Sequence, residues 1–413
     1  MPLDDLRTRL SRLGVIKGDA WKARPAVAPH PIEALIDGQV REGESGACFE
    51  VMHSYAPDTL RGDLSLSSWL AQDFTTLTQI GNLAPPAPID IRRFVFLDTE
   101  TTGLGGAGTL PFMVGLGFFG EADRFEVHQF FLRSPAEESA MLALVHDLLW
   151  QDGGLVTFNG RTFDVPLLSG RFILARKPTH LGILPNLDLL SPARRLWQRR
   201  LPSCALGALE KSVLGIYRTA ADIPGWMIPS LYQHYVQTGD ATEIARVFYH
   251  NEQDILSMVV LAARLAHTFS QPEAATLPAE DRLSLARWYE SQGMLVECEN
   301  IYRIVLDETS NVGNRREALA GMARLLKRSE RRNEALPLWE YLADLKLDTL
   351  GHEELAKHYE WHEIDLPHAL QWADKGIDLA SSWQPGLQRT EALRALNHRR
   401  ERLLKKLSNQ RTE

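Results

Sequence analysis

The sequence predicts an α/β domain built on a mixed sheet flanked by helices, followed by an all-α array of helical hairpins. Three observations predict this. Between residues 92 and 132, three β-prone segments follow one another over short connections. Helical and strand patterns then alternate to about residue 270, the order of a layered α/β sheet with parallel and antiparallel neighbours. Beyond residue 275 the β-prone runs stop, and Ala286, Ala323 and Ala356 recur 37 and then 33 residues apart, near the period of tetratricopeptide repeats. A chain of 413 residues, 44% hydrophobic, has room for two or three domains with ordinary cores.

Residues 1–90 read as a leader region. Residues 1–13 are an amphipathic helix candidate. In 46–53 the alternation of Ala47, Phe49 and Val51 reads as a strand that packs on the next domain or adds a sheet edge. A short ordered segment spans 75–80, and Ala84-Pro85-Pro86-Ala87-Pro88 is a breaker. The second domain, 91–270, predicts strands over about 92–99, 110–119 and 124–132. A helix over about 137–150, a strand over 154–158, a helix over 163–176, a short strand near 183–189 and further helices follow. Gly103, Gly105, Gly106 and Gly108 lie between the first two strands. With no GxxxxGK[ST] and no following helix they make no phosphate cradle; they read as a flexible rim.

The third domain, 275–413, predicts tetratricopeptide-like hairpins. Cys298, Ala335 and Ala369 open the second helix of each pair, and Tyr302, Trp339 and Trp372 follow them. Small residues let paired helices approach, and aromatics fill the next gap. A basic helix over 391–406 caps the stack. Such arrays hold peptides or partner proteins in a concave face; an array that only stabilises its neighbour fits the pattern equally.

The chemistry concentrates in three segments. Phe94-Val95-Phe96-Leu97-Asp98-Thr99-Glu100 ends an apolar strand in two acids spaced i, i+2, on one face. Paired acids at the end of a buried strand repel and are costly to desolvate. A divalent cation such as Mg²⁺ or Mn²⁺ resolves that; a strand tip ending in solvent is the bland alternative. Asp164 follows Asn159-Gly160-Arg161-Thr162-Phe163 at a helix start, where it supplies a ligand or an N-cap. His250 and Asp254, four apart, share a helix face, as a site or as a solvated stripe.

Together these segments resemble, in order, the three motifs of the DEDD family of 3′–5′ exonucleases. Leu187-Asp188-Leu189-Leu190-Ser191-Pro192-Ala193-Arg194-Arg195-Leu196-Trp197 and Asp222-Ile223-Pro224-Gly225-Trp226-Met227-Ile228-Pro229 are similar to the bacterial YprB branch of the ribonuclease-H-like superfamily. The resemblance implies a ribonuclease-H-like fold over 91–270. It implies phosphodiester hydrolysis with two Mg²⁺ or Mn²⁺ ions held by Asp98, Glu100, Asp164 and Asp254. Such enzymes usually carry a Tyr four residues before the last Asp or a His five before it. Here His250 is four before Asp254 and Tyr249 five before. Periodicity favours His250 as general base, imidazole being suited to neutral pH, with Tyr249 second. Thr101, Thr102 and Leu104 would lie against the terminal nucleotide. Asn159 would brace the second motif, touch substrate or simply form the turn.

Composition narrows the class. A net charge of −8 argues against a protein that coats duplex nucleic acid over its whole surface. From Pro192 to Arg218 there are six cations (Arg194, Arg195, Arg199, Arg200, Lys211, Arg218) and one acid, Glu210. Arg194 and Arg195, with Trp197 as a stacking ring, would form a local nucleic-acid groove; a solvated helix face with Trp197 in the core is the alternative. Cys48, Cys204 and Cys298 form no metal or disulfide pattern, and no apolar run reaches membrane-span length, so a cytoplasmic location is expected. The reading is a metal-dependent nuclease, a 3′–5′ exonuclease acting on single-stranded DNA or RNA ends. The alternative is a non-catalytic nucleic-acid-binding module that recruits a protein partner through its repeats.

Overall fold

The computed structural model describes residues 30–85, 88–103, 108–149, 153–274 and 277–410. The helix expected over 1–13 and Leu104 lie outside these. The chain divides into two compact units. One comprises the described residues to Arg194 with Ser203–Ser270; the other comprises Arg195–Pro202 with Gln271–Glu413. Among the described residues no helix is long and apolar enough to cross a membrane.

The first unit is an α/β layer structure. Its strands are β1 (Gln39–Gly43), β2 (Gly46–Tyr55), β3 (Leu60–Arg61), β4 (Leu64–Ser65), β5 (Phe94–Thr101), β6 (Pro111–Phe119), β7 (Phe125–Phe131), β8 (Gly154–Thr157) and β9 (Asn186–Asp188). Seven form one sheet in the order β1-β2-β7-β6-β5-β8-β9, while β3 and β4 make a separate ribbon. β5 pairs antiparallel with β6 and parallel with β8, so the sheet is mixed. The leader strand becomes β2, which pairs antiparallel with β7 and carries β1 at the edge.

β5 is central because both its faces are apolar. Phe94, Val95, Phe96 and Leu97 are all buried, the signature of a strand covered on both sides. The indole of Trp69 meets Phe94 and Phe96 edge-on at 5.7 and 5.3 Å. On β6 the small residues alternate with large ones. Gly115 and Gly117 point at the helix Ile244–Ser270, and a Cβ on either would lie 2.5 Å from the Ile255 side chain. Two missing side chains thus let a 27-residue helix press directly on the sheet. That helix carries the third motif, so this close approach positions the site.

The second unit is helical. Ala279–Ser291 with Leu295–Glu308, Val312–Arg328 with Arg332–Leu345, and Leu350–Trp361 with Leu366–Ser381 form three successive hairpins, followed by Leu387–Gln410. The small residues of the repeat, Ala286, Cys298, Ala323, Ala335, Ala356 and Ala369, are all buried. Tyr302 fills the space left by Gly321, where a Cβ would stand 2.4 Å from the ring. The terminal helix is tied on by charge: the buried carboxylate of Glu360 receives Arg399, Arg402 and Lys406 at 2.8, 2.5 and 2.9 Å.

Trp197 is 2% exposed. The expected stacking ring is therefore a core residue, because the apolar face of its helix is the face that packs. Arg194 and Arg195 are exposed. Arg195 lies over the Trp288 ring at 5.6 Å, Arg199 pairs with Glu317, and Arg200 forks onto Asp281 at 2.8 Å. Two of the six cations of the run are thus neutralised within the helical unit.

Candidate active site

The site is built where β5 ends beside the helix Ile244–Ser270. Asp98 pairs across the ladder with Gly115, and Gly115 with Gln129 on β7. Residues directly opposite share a face, so Asp98, the vacant position of Gly115 and Gln129 form one row. Asn251 lies across it. Its amide donates to Asp98 Oδ2 at 2.8 Å, and its Oδ1 accepts from Gln129 Nε2 at 2.9 Å. A Cβ on Gly115 would fall 2.2 Å from Asn251 Oδ1, so the glycine is what admits the amide.

Glu100 lies two residues on, just before a register shift in the β5–β6 ladder. Asp164 is the first residue of the helix Asp164–Leu174, is 5% exposed, and accepts a short hydrogen bond from Thr99 Oγ1. It sits one residue inside the helix; the N-cap position is Phe163. Burial, then Asp254 and Asp164, push the Asp98 carboxyl well above the usual range. Burial, then Asp98, Asp254 and Asp164, do the same to Glu100. Burial raises Asp164 to about 6 against the opposing pull of its Thr99 hydrogen bond. The four acids of the three motifs are therefore close enough to feel one another as charges.

The third motif brings residues that sequence reasoning did not assign. His250 Nδ1 lies 2.7 Å from Asp222 Oδ1, and its Nε2 lies 3.6 Å from Asp254 Oδ2. An imidazole donating from Nδ1 to a carboxylate leaves Nε2 as the acceptor. The Tyr249 hydroxyl instead accepts from Thr219 Oγ1 at 3.1 Å. Arg218 enters beside them. Its Nη2 donates to Asp254 and, at 2.7 Å, to Glu210 Oε1; its Nε donates to Glu210 Oε2 at 2.8 Å. Asn251 had a detectable signal, since it stands three residues before Asp254 on the same helix. Glu210, which opens the π-helical turn Glu210–Leu214, and Arg218, four residues beyond it, had none.

Other expected contacts have local work. Thr101 Oγ1 donates to Gly103 O at 2.7 Å, and Thr102 Oγ1 accepts from Leu110 N at 3.0 Å. Both hydroxyls close the loop after β5. Asn159 has φ of 68° and its N–H donates to Asp188 Oδ1 at 2.8 Å, while its Oδ1 accepts from Thr162 at 3.1 Å. It is a turn residue that braces the second motif.

The donor set suits a hard divalent cation: oxygen ligands, buried and mutually repelling. Three of the four acids are nevertheless turned toward an internal partner: Asp98 toward Asn251, Asp164 toward Thr99, Asp254 toward Arg218. Accordingly, among the described residues no three His, Cys, Asp or Glu side chains converge as a ready-made ion cage.

This fold and arrangement of acids define a class. Residues 95–266 match the family model of the RNase_H superfamily, and the domain is of the nuclease type that superfamily groups. Over 299 residues the chain is 32% identical to the uncharacterized protein YprB of Bacillus subtilis (strain 168), covering 69% of each chain. The chain belongs to the YprB family of ribonuclease-H-superfamily proteins.

Proposed function

We propose that this protein is a metal-dependent nuclease that removes nucleotides from the 3′ ends of single-stranded DNA or RNA. The observation that carries the reading is the gathering of buried acids at the end of β5 and the start of the helix Asp164–Leu174: Asp98 and Glu100 are raised by burial and by Asp254 and Asp164, and Asp164 by burial. Such a site stores repulsion that two Mg²⁺ or Mn²⁺ ions relieve. Asp98, Glu100, Asp164 and Asp254 would hold them, and the ions would supply Lewis acidity toward the phosphate and its attacking water. Asn251 orients Asp98, and Thr99 orients Asp164. Asp222 holds His250 so that Nε2 faces Asp254 as proton acceptor, which makes His250 the general base. Trp226 is 81% exposed and adjoins Gly225, where a Cβ would stand 3.9 Å from His250 Nε2. An indole left in water one residue along the chain from that glycine is a surface on which a terminal nucleobase stacks. Arg194 and Arg195 would add contacts to the phosphate backbone, and the helical unit would receive a protein partner.

The test uses end-labelled single-stranded DNA and RNA with Mn²⁺, Mg²⁺ or EDTA. Stepwise shortening from the 3′ end, abolished by EDTA and by Asp98→Ala, is the expected result. Binding without cleavage in either metal, indifferent to Asp98→Ala, favours the non-catalytic module; the guanidinium seated on Asp254 is the observation on that side.

A further inference from the structure

Arg218 is placed too deliberately for a surface cation. Its side chain is 10% exposed and its anchor Glu210 is 1% exposed. The fork of Nε and Nη2 onto Glu210 fixes the guanidinium plane, as a bidentate pair does. Nη2 also donates to Asp254, the motif carboxylate carried by the helix Ile244–Ser270. The anchor is itself built. Ser257, three residues beyond Asp254 on the same helix, donates to Glu210 Oε1 at 2.5 Å, and Arg61 donates to Ser257 Oγ at 3.3 Å. Glu210 thus has one donor, Ser257, besides the Arg218 fork. Among the described residues Asp254 has no second donor of this kind; its other neighbour is His250 Nε2 at 3.6 Å.

We propose that Arg218 is a tethered internal counter-ion that occupies Asp254 in the metal-free protein and must release it before a divalent cation can be held. This rests on the nuclease reading above and deepens it by naming what the metal displaces. The asymmetry of the two pairs sets the direction. Breaking the Glu210 fork would leave a buried charge short of partners, whereas breaking the Asp254 contact exposes one shared N–H and frees a carboxylate for a cation that repays the loss. The displaced N–H groups stay at the site, because Glu210 holds them. The same contact sets a positive charge beside Asp254 that offsets part of its repulsion of Asp98 and Glu100.

The test is Mn²⁺ binding to the full-length, EDTA-stripped protein without nucleic acid. Free Mn²⁺ is followed by electron paramagnetic resonance, and thermal unfolding is recorded with and without the ion. The proteins are wild type, Arg218→Gln, Asp98→Asn and the double variant Glu210→Gln/Arg218→Gln. The double variant removes both charges of the fork, so it remains informative if Arg218→Gln alone does not fold. Removing the competing cation is expected to tighten Mn²⁺ about tenfold, or about 1.4 kcal/mol. It should also lower the melting temperature without ion more than with ion saturating. Unchanged or weaker Mn²⁺ binding in both Arg218 variants, with wild-type uptake that Asp98→Asn abolishes, overturns the counter-ion and leaves the nuclease reading standing. No uptake by wild type overturns both.

Discussion

Gly115→Ala tests the row that joins the sheet to the third motif. The new methyl would stand 2.2 Å from Asn251 Oδ1 and 2.5 Å from Ile255 Cδ1. Both distances are more than an ångström inside ordinary contact. The helix Ile244–Ser270 cannot retreat as a whole, because its far side is buried for most of its length. Asn251 must therefore rotate, and it loses its 2.8 Å bond to Asp98 or its 2.9 Å bond from Gln129. Overpacking costs about 1–3 kcal/mol, and a buried polar group left unpaired costs about 1–3 kcal/mol. The sum, about 2–6 kcal/mol, corresponds to a fall of roughly 5–20 °C in the melting temperature of a domain of this size. Calorimetry on the intact chain reads it. The double variant Gly115→Ala/Asn251→Ala removes the colliding amide and should lose less than the sum of the single variants. Asp98 also loses the donor that opposes its raised pKa, so Mn²⁺ uptake at pH 6 should weaken. A melting temperature within about 1 °C of wild type, with additive double-variant losses, would refute the row as described.

Four further outcomes are expected. Because the folded Asp164 carboxyl sits near 6 rather than 3.8, the metal-free fold binds more protons than the unfolded chain. Stability should therefore fall as pH rises from about 4 to 6, by at most about 1.4 kcal/mol per pH unit for one proton; Asp164→Asn should flatten that slope in denaturant titrations, and an identical slope would contradict it. His250→Ala should lower kcat on the order of 10²-fold or more, Asp222→Ala should lower kcat with KM unchanged, and Tyr249→Phe should leave both near wild type; a Tyr249→Phe loss equal to that of His250→Ala would reverse the assignment. Trp226→Ala should weaken single-stranded oligonucleotide binding by about 1–3 kcal/mol, measured by fluorescence anisotropy, and full retention would remove the indole from the substrate path. Glu360→Ala leaves Arg399 short of a buried partner while the more exposed Arg402 and Lys406 turn to solvent, so the helical unit should lose about 1–3 kcal/mol and the Leu387–Gln410 helix should become the first site of limited proteolysis.

Much of this molecule was legible because its signals are local. The apolar run of β5 ending in Asp98 and Glu100 declares a buried strand with acids on one face, since side-chain alternation needs no partner to be read. His250, Asn251 and Asp254 share a helix face by periodicity alone. The buried small residues of the repeat, Ala286, Ala323 and Ala356, were visible as spacing. Trp197 was ambiguous by the same logic: its helix had both an apolar and a basic face, and only packing chose the core.

The tertiary structure decided what depends on which strands are neighbours and in what register. That β2 joins the sheet through β7, that Gly115 lies between Asp98 and Gln129, and that Arg218 and Glu210 meet over Asp254 are long-range facts. No periodicity encodes them, because hydrogen-bond pairing and charge neutralisation act between segments far apart along the chain. The sequence by itself named the acids and the elements that carry them. Folding alone chose the side chains that hold those acids: an amide on Asp98, a hydroxyl on Asp164 and a guanidinium on Asp254.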